Sequence, residues 1–411
     1  MIRRKYMAAI STALCLSLCA CSSGNPDSEP VDVTPAPTTE TPTTEAPTTE
    51  APTAPPIEPV TIDLVSIGDM LMHAGASLPA VQADGSFNYD YLFTNVADAI
   101  QGADLAIVNN EVIMGGNELG NIGYPNFNIR TELADAEVRA GFDVVLSATN
   151  HTLDQHMTGL NNTINYWKTN FPHISLLGVH DSKEHSENIT VREIEGIKIA
   201  LLNYTYGLNG YSLPAGSEYA IDLMTDSTRS KVMEDIRKAE ELADFVIVFP
   251  HWGIEYTFQP TEEQKNWASL MTEAGADLII GTHPHVIQPV EWVTSANGNK
   301  SLVYYSLGNF VSIQYHHFAM LGGMADVSIT KDETGTYVSS HDMEFLVTHY
   351  TSGRTAVTTY YLDDYTEEFA ASHAIHVEPG PQYDSINREY PFTVARLKEL
   401  AKEICPEFVD W

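Results

Sequence analysis

Five places in the sequence put side chains that can bind a divalent cation directly after an apolar, strand-like run. Those runs are residues 65–68, 107–110, 144–148, 247–250 and 278–281. The side chains that follow them are Asp69, Glu111, Asn150 with its neighbour His151, His251, and the pair His283 and His285. Hard oxygen donors together with neutral imidazole suit a site for one or two divalent metal ions. Because open α/β sheets bind ligands beyond the carboxyl ends of their strands, the pattern predicts one shared site.

Each of these residues also has an ordinary structural explanation. A single acid after a strand, such as Asp69, is commonly a turn residue or a helix cap. Asn150–His151 would fit a simple turn, and His251 would fit a packed aromatic corner. The two histidines of Thr282–His285 are harder to explain by packing, because a proline lies between them in a loop. The prediction therefore depends on the conjunction of five strand ends.

The elements that would position these residues alternate between strand and helix after residue 60. The expected strands are Thr61–Ile67, Leu105–Asn109, Asp143–Ser147, Ile174–Leu177, Ile197–Asn203, Phe245–Phe249, Leu278–Ile280 and Ser301–Ser306. The expected helices are Tyr91–Ile100, Thr131–Ala140, Thr158–Lys168, Ser227–Leu242, Thr261–Ala274 and, near the C-terminus, Thr393–Ile404. This alternation predicts an α/β fold with buried sheets. Hairpin turns expected at Glu195–Gly196 and Ala296–Asn299 would make part of the sheets antiparallel.

The first sixty residues indicate export. Three basic residues, 3–5, precede an apolar run from Met7 to Cys19 that is too short for a permanent membrane span, as in a signal peptide. Leu18–Cys21 has the form of a bacterial lipobox, so residues 1–21 are interpreted as a lipoprotein signal peptide, with Cys21 as the acylated residue. A plain secretory signal cut nearby is the alternative. Residues 22–60 are rich in Pro, Thr and Glu and predict a disordered linker.

Composition limits the partners and the compartment. The 411-residue chain has 21 Lys and Arg against 55 Asp and Glu, a net charge of −34, which makes nucleic acid an unsuitable partner. Removal of the signal and acylation of Cys21 would leave Cys405 as the single thiol of the mature domain, so no internal disulfide is expected. We assign residues 61–349 to one domain and 350–411 to a small C-terminal extension.

Six motifs occur together in one order. They are Gly68–Asp69, Asn109–Glu111, Ala148–His151 with Asp154, Pro250–Gly253 with Glu255, Gly281–His285 and Tyr305–Phe310. In this combination and order, the chain resembles the poly-gamma-glutamate capsule synthesis protein family, called CapA or PgsA. The resemblance covers roughly residues 62–330.

That family is similar to the calcineurin-like metallophosphoesterases. The resemblance implies a four-layer α/β/β/α sandwich, with two divalent ions held by Asp69, Glu111, Asn150, His251, His283 and His285. It also implies that His151 contacts the substrate and acts in catalysis. The chain departs from the family at His73, where an arginine is common, so His73 is expected to be an additional ligand or a substrate contact. Mn, Fe, Zn and Co are all compatible with oxygen and imidazole ligands.

Three functions follow from the resemblance. The first is a lipid-anchored protein on the extracellular face of the bacterial membrane, acting with capsule-synthesis membrane proteins in synthesis or export of poly-gamma-glutamate or a related anionic polymer. The second is a secreted metal-dependent phosphoesterase acting on nucleotides or envelope phosphoesters, in which His151 would protonate the leaving oxygen. The third is a non-catalytic scaffold that binds polymer.

Overall fold

The computed structural model describes residues 58–354, 356–377, 383–409 and 411. The predicted signal peptide, the lipidation site Cys21 and nearly all of the linker lie outside these residues. In the described ranges, no helix combines the length and the apolar character needed to cross a bilayer.

The described residues form fourteen strands and nine α-helices, joined by turns and short 3-10 helices. The strands are β1 (Val60–Met70), β2 (Leu105–Asn110), β3 (Val144–Leu146), β4 (Ser175–Leu177), β5 (Thr190–Ile194), β6 (Ile197–Thr205), β7 (Phe245–His251), β8 (Leu278–Ile280), β9 (Val290–Thr294), β10 (Lys300–Tyr304), β11 (Asn309–Val311), β12 (Leu321–Asp332), β13 (Gly335–Tyr350) and β14 (Val357–Tyr361). The helices are α1 (Ala97–Gly102), α2 (Glu132–Ala140), α3 (His156–Asn170), α4 (Lys183–Ser186), α5 (Arg229–Leu242), α6 (Glu262–Ala274), α7 (Glu367–Ser372), α8 (Asp384–Glu389) and α9 (Val394–Ile404).

The strands form two sheets. The first has the order β14-β13-β12-β1-β2-β3-β4, with β11 paired to β1, and the second has the order β5-β6-β7-β8-β10-β9. In the first sheet β1 to β4 are parallel, and in the second β6, β7, β8 and β10 are parallel. Parallel strands end at the same edge of their sheet. The strands that precede the predicted ligands therefore deliver them to common edges.

The two sheets pack face to face, with helices outside. In β7, Val246 and Val248 pack with Trp267 of α6, whereas Phe245 and Ile247 belong to the large core that also contains the first sheet. In the first sheet, three crossovers run in one direction from β1 to β4, and right-handed crossovers place their helices on one face. The predicted four-layer α/β sandwich is confirmed.

Local chemistry accounts for the ends of the helices. The hydroxyl of Thr261 accepts the N–H of Gln264, whose side chain accepts the N–H of Thr261, so this capping box begins α6. Helices α2 and α6 end at Gly141 and Gly275, both in the left-handed conformation that glycine adopts at little cost. These boundaries lie within one residue of those predicted.

The predicted helix Tyr91–Ile100 is wrong in its first half, since only its last four residues are α-helical. A 3-10 turn at Asp90–Leu92 is followed by a break, and α1 begins only at Ala97. The hydroxyl of Thr94 donates to backbone carbonyls of the preceding turn, and the amide of Asn95 donates to the carbonyl of Thr359. Polar side chains that bond to nearby backbone or to another strand compete with the helical pattern.

Strands β12 and β13 were not predicted. Two glycines near the start of β12 lower its apparent strand propensity, but the structure requires at least one of them. A Cβ at Gly322 would lie 1.9 Å from the carbonyl oxygen of Asn309, so only glycine permits this close approach. The long β12–β13 pair is thus specified by packing rather than by local preference.

The described part of the C-terminal extension packs on the same core. Strand β13 crosses the predicted boundary at residue 349, and β14 pairs with it. Leu397 and Leu400 of α9 are buried in the large core. Cys405 is buried with a free thiol.

Candidate metal centre

The strand ends bring the six predicted ligands together. Asp69 lies one residue before the end of β1, Glu111 directly follows β2, and His251 is the last residue of β7. Asn150 follows β3, and His283 and His285 follow β8. All six are buried, with at most 3% of each residue exposed. Imidazole, amide and carboxylate groups from both sheets therefore meet in one enclosed region.

Asp69 is held by groups from two other segments, β2 and the loop after β8. Its Oδ1 accepts the side-chain amide of Asn109 at 2.9 Å, and its carboxylate also faces the backbone N–H of His283 at 3.2 and 3.3 Å. Nδ1 of His285 lies 2.9 Å from Oδ2. The carboxylate is fixed in orientation before any cation binds, as expected of a preorganised ligand.

His251 connects the two halves of the centre. Its Nε2 lies 2.9 Å from Oδ1 of Asn150 and 3.5 Å from Oε1 of Glu111. Its Nδ1 lies 2.9 Å from the hydroxyl of Thr282, which can donate or accept and so can satisfy either tautomer. This contact fixes the ring plane and leaves Nε2 facing the oxygen donors.

Glu111 lies at the centre of the group. Both of its carboxylate oxygens are buried, and among the described residues neither has a hydrogen-bond partner. The nitrogen atoms of His251 and His285 stand 3.5 and 3.6 Å from them, beyond good hydrogen-bond distance. A buried carboxylate without partners is costly, and a bound cation removes that cost.

Two groups of ligating atoms share this carboxylate. Within each group the atoms lie within 4.8 Å of one another; the groups are Asp69, Glu111 and His251, and Glu111, His283 and His285. Of the residues that the structure describes, these are the clusters able to hold a metal ion in this way. The Nδ1 atom of His283 is also buried without a partner. The donor set therefore fits one or two divalent cations.

The electrostatics agree with cation binding. Burial, reinforced by Asp69, raises the pKa of Glu111 well above its usual range. Burial lowers the pKa of His251 to about 3 and that of His283 well below its ordinary value. Both rings are thus neutral at pH 7, the form in which imidazole binds a metal.

The backbone carries strain at the same place. His283 and His285 have φ values of 97° and 59°, in the left-handed region that residues other than glycine rarely adopt. Conformations of this kind cost on the order of 1–3 kcal/mol each and concentrate at functional sites. Gly68, just before Asp69, allows the residue that precedes β11 to approach closely, since a Cβ there would lie 2.0 Å from the carbonyl oxygen of Gly308.

His151 lies beside the centre and lines an adjoining cavity. Its Nδ1 is 2.7 Å from Oδ2 of Asp154, which also accepts the backbone N–H of Phe127 at 2.7 Å. The amide of Asn209 lies 3.2 Å from the same ring nitrogen. His151 belongs to neither ligand group, and its catalytic role stays a prediction.

His73 lines the same cavity and belongs to neither ligand group. Its Nδ1 faces the carbonyl oxygen of Leu71 at 3.1 Å, and its ring packs edge-on against Phe127. Burial lowers its pKa to about 4, so the ring is neutral. This arrangement favours His73 as a substrate contact over His73 as an additional metal ligand, and both roles stay predictions.

The cavity has a volume of about 430 Å³. It brings in residues that were not predicted as site residues, including Glu255, Tyr256 and Tyr383. The sequence could have indicated Glu255 as a site residue, because it follows His251 by four residues in the same motif. Nothing in the sequence indicated Tyr383, since it lies in the C-terminal extension. Tyr206, whose ring lies 4.6 Å from that of His283, came from a loop with the composition of ordinary surface.

The chain is similar in sequence to known bacterial capsule proteins. The family model of the bacterial capsule synthesis protein PGA_cap matches residues 63–314, which is more than half of the chain. The chain is 27% identical over 258 residues to the capsule biosynthesis protein CapA of Bacillus anthracis, covering 61% of this chain and 59% of that protein. It is 31% identical over 198 residues to the PGA biosynthesis protein CapA of Bacillus subtilis strain 168, covering 48% and 49%. The match thus spans about half the length of these relatives.

Solved structures with some likeness to this chain include a phosphatase and a phosphoesterase. A novel phosphatase from Mycoplasma pneumoniae has a TM-score of 0.44 at 17% identity, covering 70% of this chain and 94% of that one. The calcineurin-like phosphoesterase YfkN from Bacillus subtilis has a TM-score of 0.39 at 13% identity, covering 84% and 100%. From the family match, the chain belongs to the bacterial capsule synthesis protein family PGA_cap.

Proposed function

We propose that this protein acts at the outer face of the bacterial membrane, as a lipid-anchored component of the synthesis or export of poly-gamma-glutamate or a related anionic polymer. We also propose that its metal centre hydrolyses a phosphoester in that process. The observation that carries the chemical part is Glu111, whose two buried oxygens have no hydrogen-bond partner and are shared by both ligand groups. Family membership supports the biological part.

The residues divide into two ligand sets around a shared carboxylate. Asp69 and His251 would complete one set with Glu111, and His283 and His285 would complete the other, with the Asn150 oxygen beside His251. When bound, two divalent cations supply positive charge to phosphoryl oxygens and lower the pKa of water. No thiolate takes part, so Mn, Fe, Zn and Co all remain suitable.

A residue of the chain itself would donate the proton to the leaving oxygen. Asp154 accepts from Nδ1 of His151 and so sets the orientation of the ring. Nε2 is then the ring atom available to give a proton to the leaving oxygen of an ester in the cavity. Phe127 packs edge-on against this ring at 4.6 Å between centroids and limits its movement.

Metal analysis and turnover test the chemistry. The full chain is expected to bind Mn and to hydrolyse bis(p-nitrophenyl) phosphate in a Mn-dependent way, whereas Asp69→Asn and His283→Ala lose both metal and activity. His185→Ala is the matched control, because His185 is half exposed on α4 and outside both ligand groups. Full metal content and full activity in the two site variants would refute the assignment. Metal binding without turnover would favour the non-catalytic scaffold.

Localisation and role need cellular experiments. A Cys21→Ser variant should be released from the membrane fraction, while Cys15→Ser, which changes a cysteine of the same leader, should remain attached. Deletion of the gene should reduce the surface anionic polymer, and restoration should require an intact Asp69. Unchanged polymer in the deletion strain would refute the capsule role and leave a free-standing phosphoesterase.

A further inference from the structure

The cavity beside the metal centre has a wall of aromatic rings that starts at a predicted ligand. Tyr256 lies 6.0 Å from the ring of His285 and 4.3 Å from that of His316, measured between centroids. His316 lies 5.2 Å from Tyr383, which in turn lies 5.2 Å from Tyr315. The rings thus continue from the metal centre along one side of the cavity.

A second wall of rings starts at His151. Phe127 packs against His151, with His73 at 5.2 Å and Tyr124 at 6.4 Å from its own ring. Tyr124 is 78% exposed and lies at the outer end of this wall. A group that enters the cavity therefore meets π faces or ring edges on both sides before it reaches the metal ligands.

The charge of the cavity is negative. Among the described residues that line it there is no lysine or arginine, and Glu255 contributes a carboxylate. Arg354, whose charge acts on His73, packs over the ring of Tyr350 and does not line the cavity. Burial also lowers the pKa of His316, so this ring is uncharged at neutral pH.

Besides the tyrosine hydroxyls, the neutral polar side chain of the lining that is not a histidine is Gln314, and it is already hydrogen-bonded within the protein. Both ends of the Gln314 amide are occupied, since Nε2 donates to the Tyr256 hydroxyl at 2.9 Å and Oε1 accepts from Asn309 at 2.9 Å. The cavity also places a carboxylate, that of Glu255, among aromatic rings. That combination attracts ammonium groups through cation–π and charge interactions.

We propose that this cavity binds the ammonium group of a zwitterionic phosphoester, such as a choline or ethanolamine phosphate, while the phosphate lies at the metal centre. The inference deepens the proposed function and rests on it. In the reaction, the oxygen of a water molecule forms a bond to phosphorus and the bond from phosphorus to the amino-alcohol oxygen breaks. The leaving oxygen takes a proton from His151, and the products are inorganic phosphate and the amino alcohol.

The same features argue against a polyanion in this cavity. A poly-gamma-glutamate chain carries a carboxylate on every residue, and such chains are bound by lysine and arginine. No such side chain lines the cavity in the described part of the protein, and Glu255 would repel the polymer. The reacting ester would then be an envelope component rather than the capsule polymer itself.

Binding of choline tests the inference without catalysis. With the full chain and no added metal, choline should bind more tightly than 3,3-dimethylbutanol, its uncharged isostere, in a calorimetric titration. Glu255→Gln should weaken choline about fivefold to tenfold and leave the isostere unchanged. Tyr383→Leu should weaken choline, whereas Tyr383→Phe should retain its affinity. Glu234→Gln, an exposed acid on α5, is the matched control.

The outcomes separate this inference from the proposed function. Equal or tighter binding of the isostere, or no effect of Glu255→Gln, overturns the ammonium site. If bis(p-nitrophenyl) phosphate is hydrolysed in that case, the proposed phosphoesterase stands without it. With Mn, phosphocholine should be hydrolysed faster than 3,3-dimethylbutyl phosphate. Choline binding that depends on Glu255, together with no turnover of any phosphoester, overturns the hydrolytic function and the zwitterionic substrate together.

Discussion

Replacement of Glu111 by glutamine distinguishes a metal ligand from a buried structural residue. The change keeps the shape of the side chain and removes its charge. In the metal-free protein, Glu111 has two buried oxygens without partners, and Asp69 and burial both raise its pKa. Loss of this carboxylate should therefore leave the metal-free stability unchanged or increase it, which is the reverse of the usual result for a buried residue.

The size of the effect is the rise in Tm that bound metal produces. A ligand that binds only the folded state at a hundred times its Kd stabilises that state by about 2.7 kcal/mol. At about 2 °C per kcal/mol for a domain of this size, Mn should raise the Tm of the wild-type protein by about 5 °C. Glu111→Gln should lose most of that rise, because both ligand groups share this carboxylate.

Differential scanning calorimetry with and without Mn measures both quantities. Glu234→Gln serves as control and should keep the wild-type Tm in both conditions, since Glu234 is exposed on α5. A Glu111→Gln variant that is destabilised without metal, yet retains the full Mn-dependent rise in Tm, would show that Glu111 does not bind the metal. That result would make Glu111 an ordinary buried residue.

Three further predictions concern residues around the centre. Asp154→Asn should lower kcat for bis(p-nitrophenyl) phosphate about 10- to 100-fold, because it removes the group that orients His151. The metal content should stay unchanged. Steady-state kinetics and metal analysis measure the two quantities, and loss of metal would contradict the prediction. Burial raises the pKa of Glu137 from 4.5 to about 8, so its protonated form is favoured in the folded state and stability is lost as pH rises from about 4.5 through 8. Glu137→Gln should thus match the wild type near pH 4 and be more stable above pH 8, by up to about 5 kcal/mol in urea denaturation, whereas an equal difference at both pH values would refute the pKa shift. Gly68→Ala should destabilise the fold by about 2 kcal/mol or more, since its Cβ would lie 2.0 Å from the carbonyl oxygen of Gly308; an unchanged urea midpoint would contradict this.

Much of the site could be predicted from the sequence. Each of the predicted ligands follows a β-prone run, and parallel strands end at the same edge, so local pattern and a general rule of α/β folds were enough to group them. The helix ends were equally local: Thr261 and Gly275 flank α6, whose ends lie within one residue of the predicted Thr261–Ala274. These features depend on residues close together in the chain.

The remainder depended on contacts between distant residues. No local pattern shows that the oxygens of Glu111 lack partners, because that follows from how segments distant in the chain pack around them. Nor does sequence place Tyr383 beside Tyr315 in a cavity that ends at His285. Local sequence determined the strands that precede the candidate site and the donor side chains that follow them, because those preferences act over a few residues. Only the tertiary structure decided which carboxylate both ligand groups share and which rings surround the adjoining cavity, because long-range packing sets those distances.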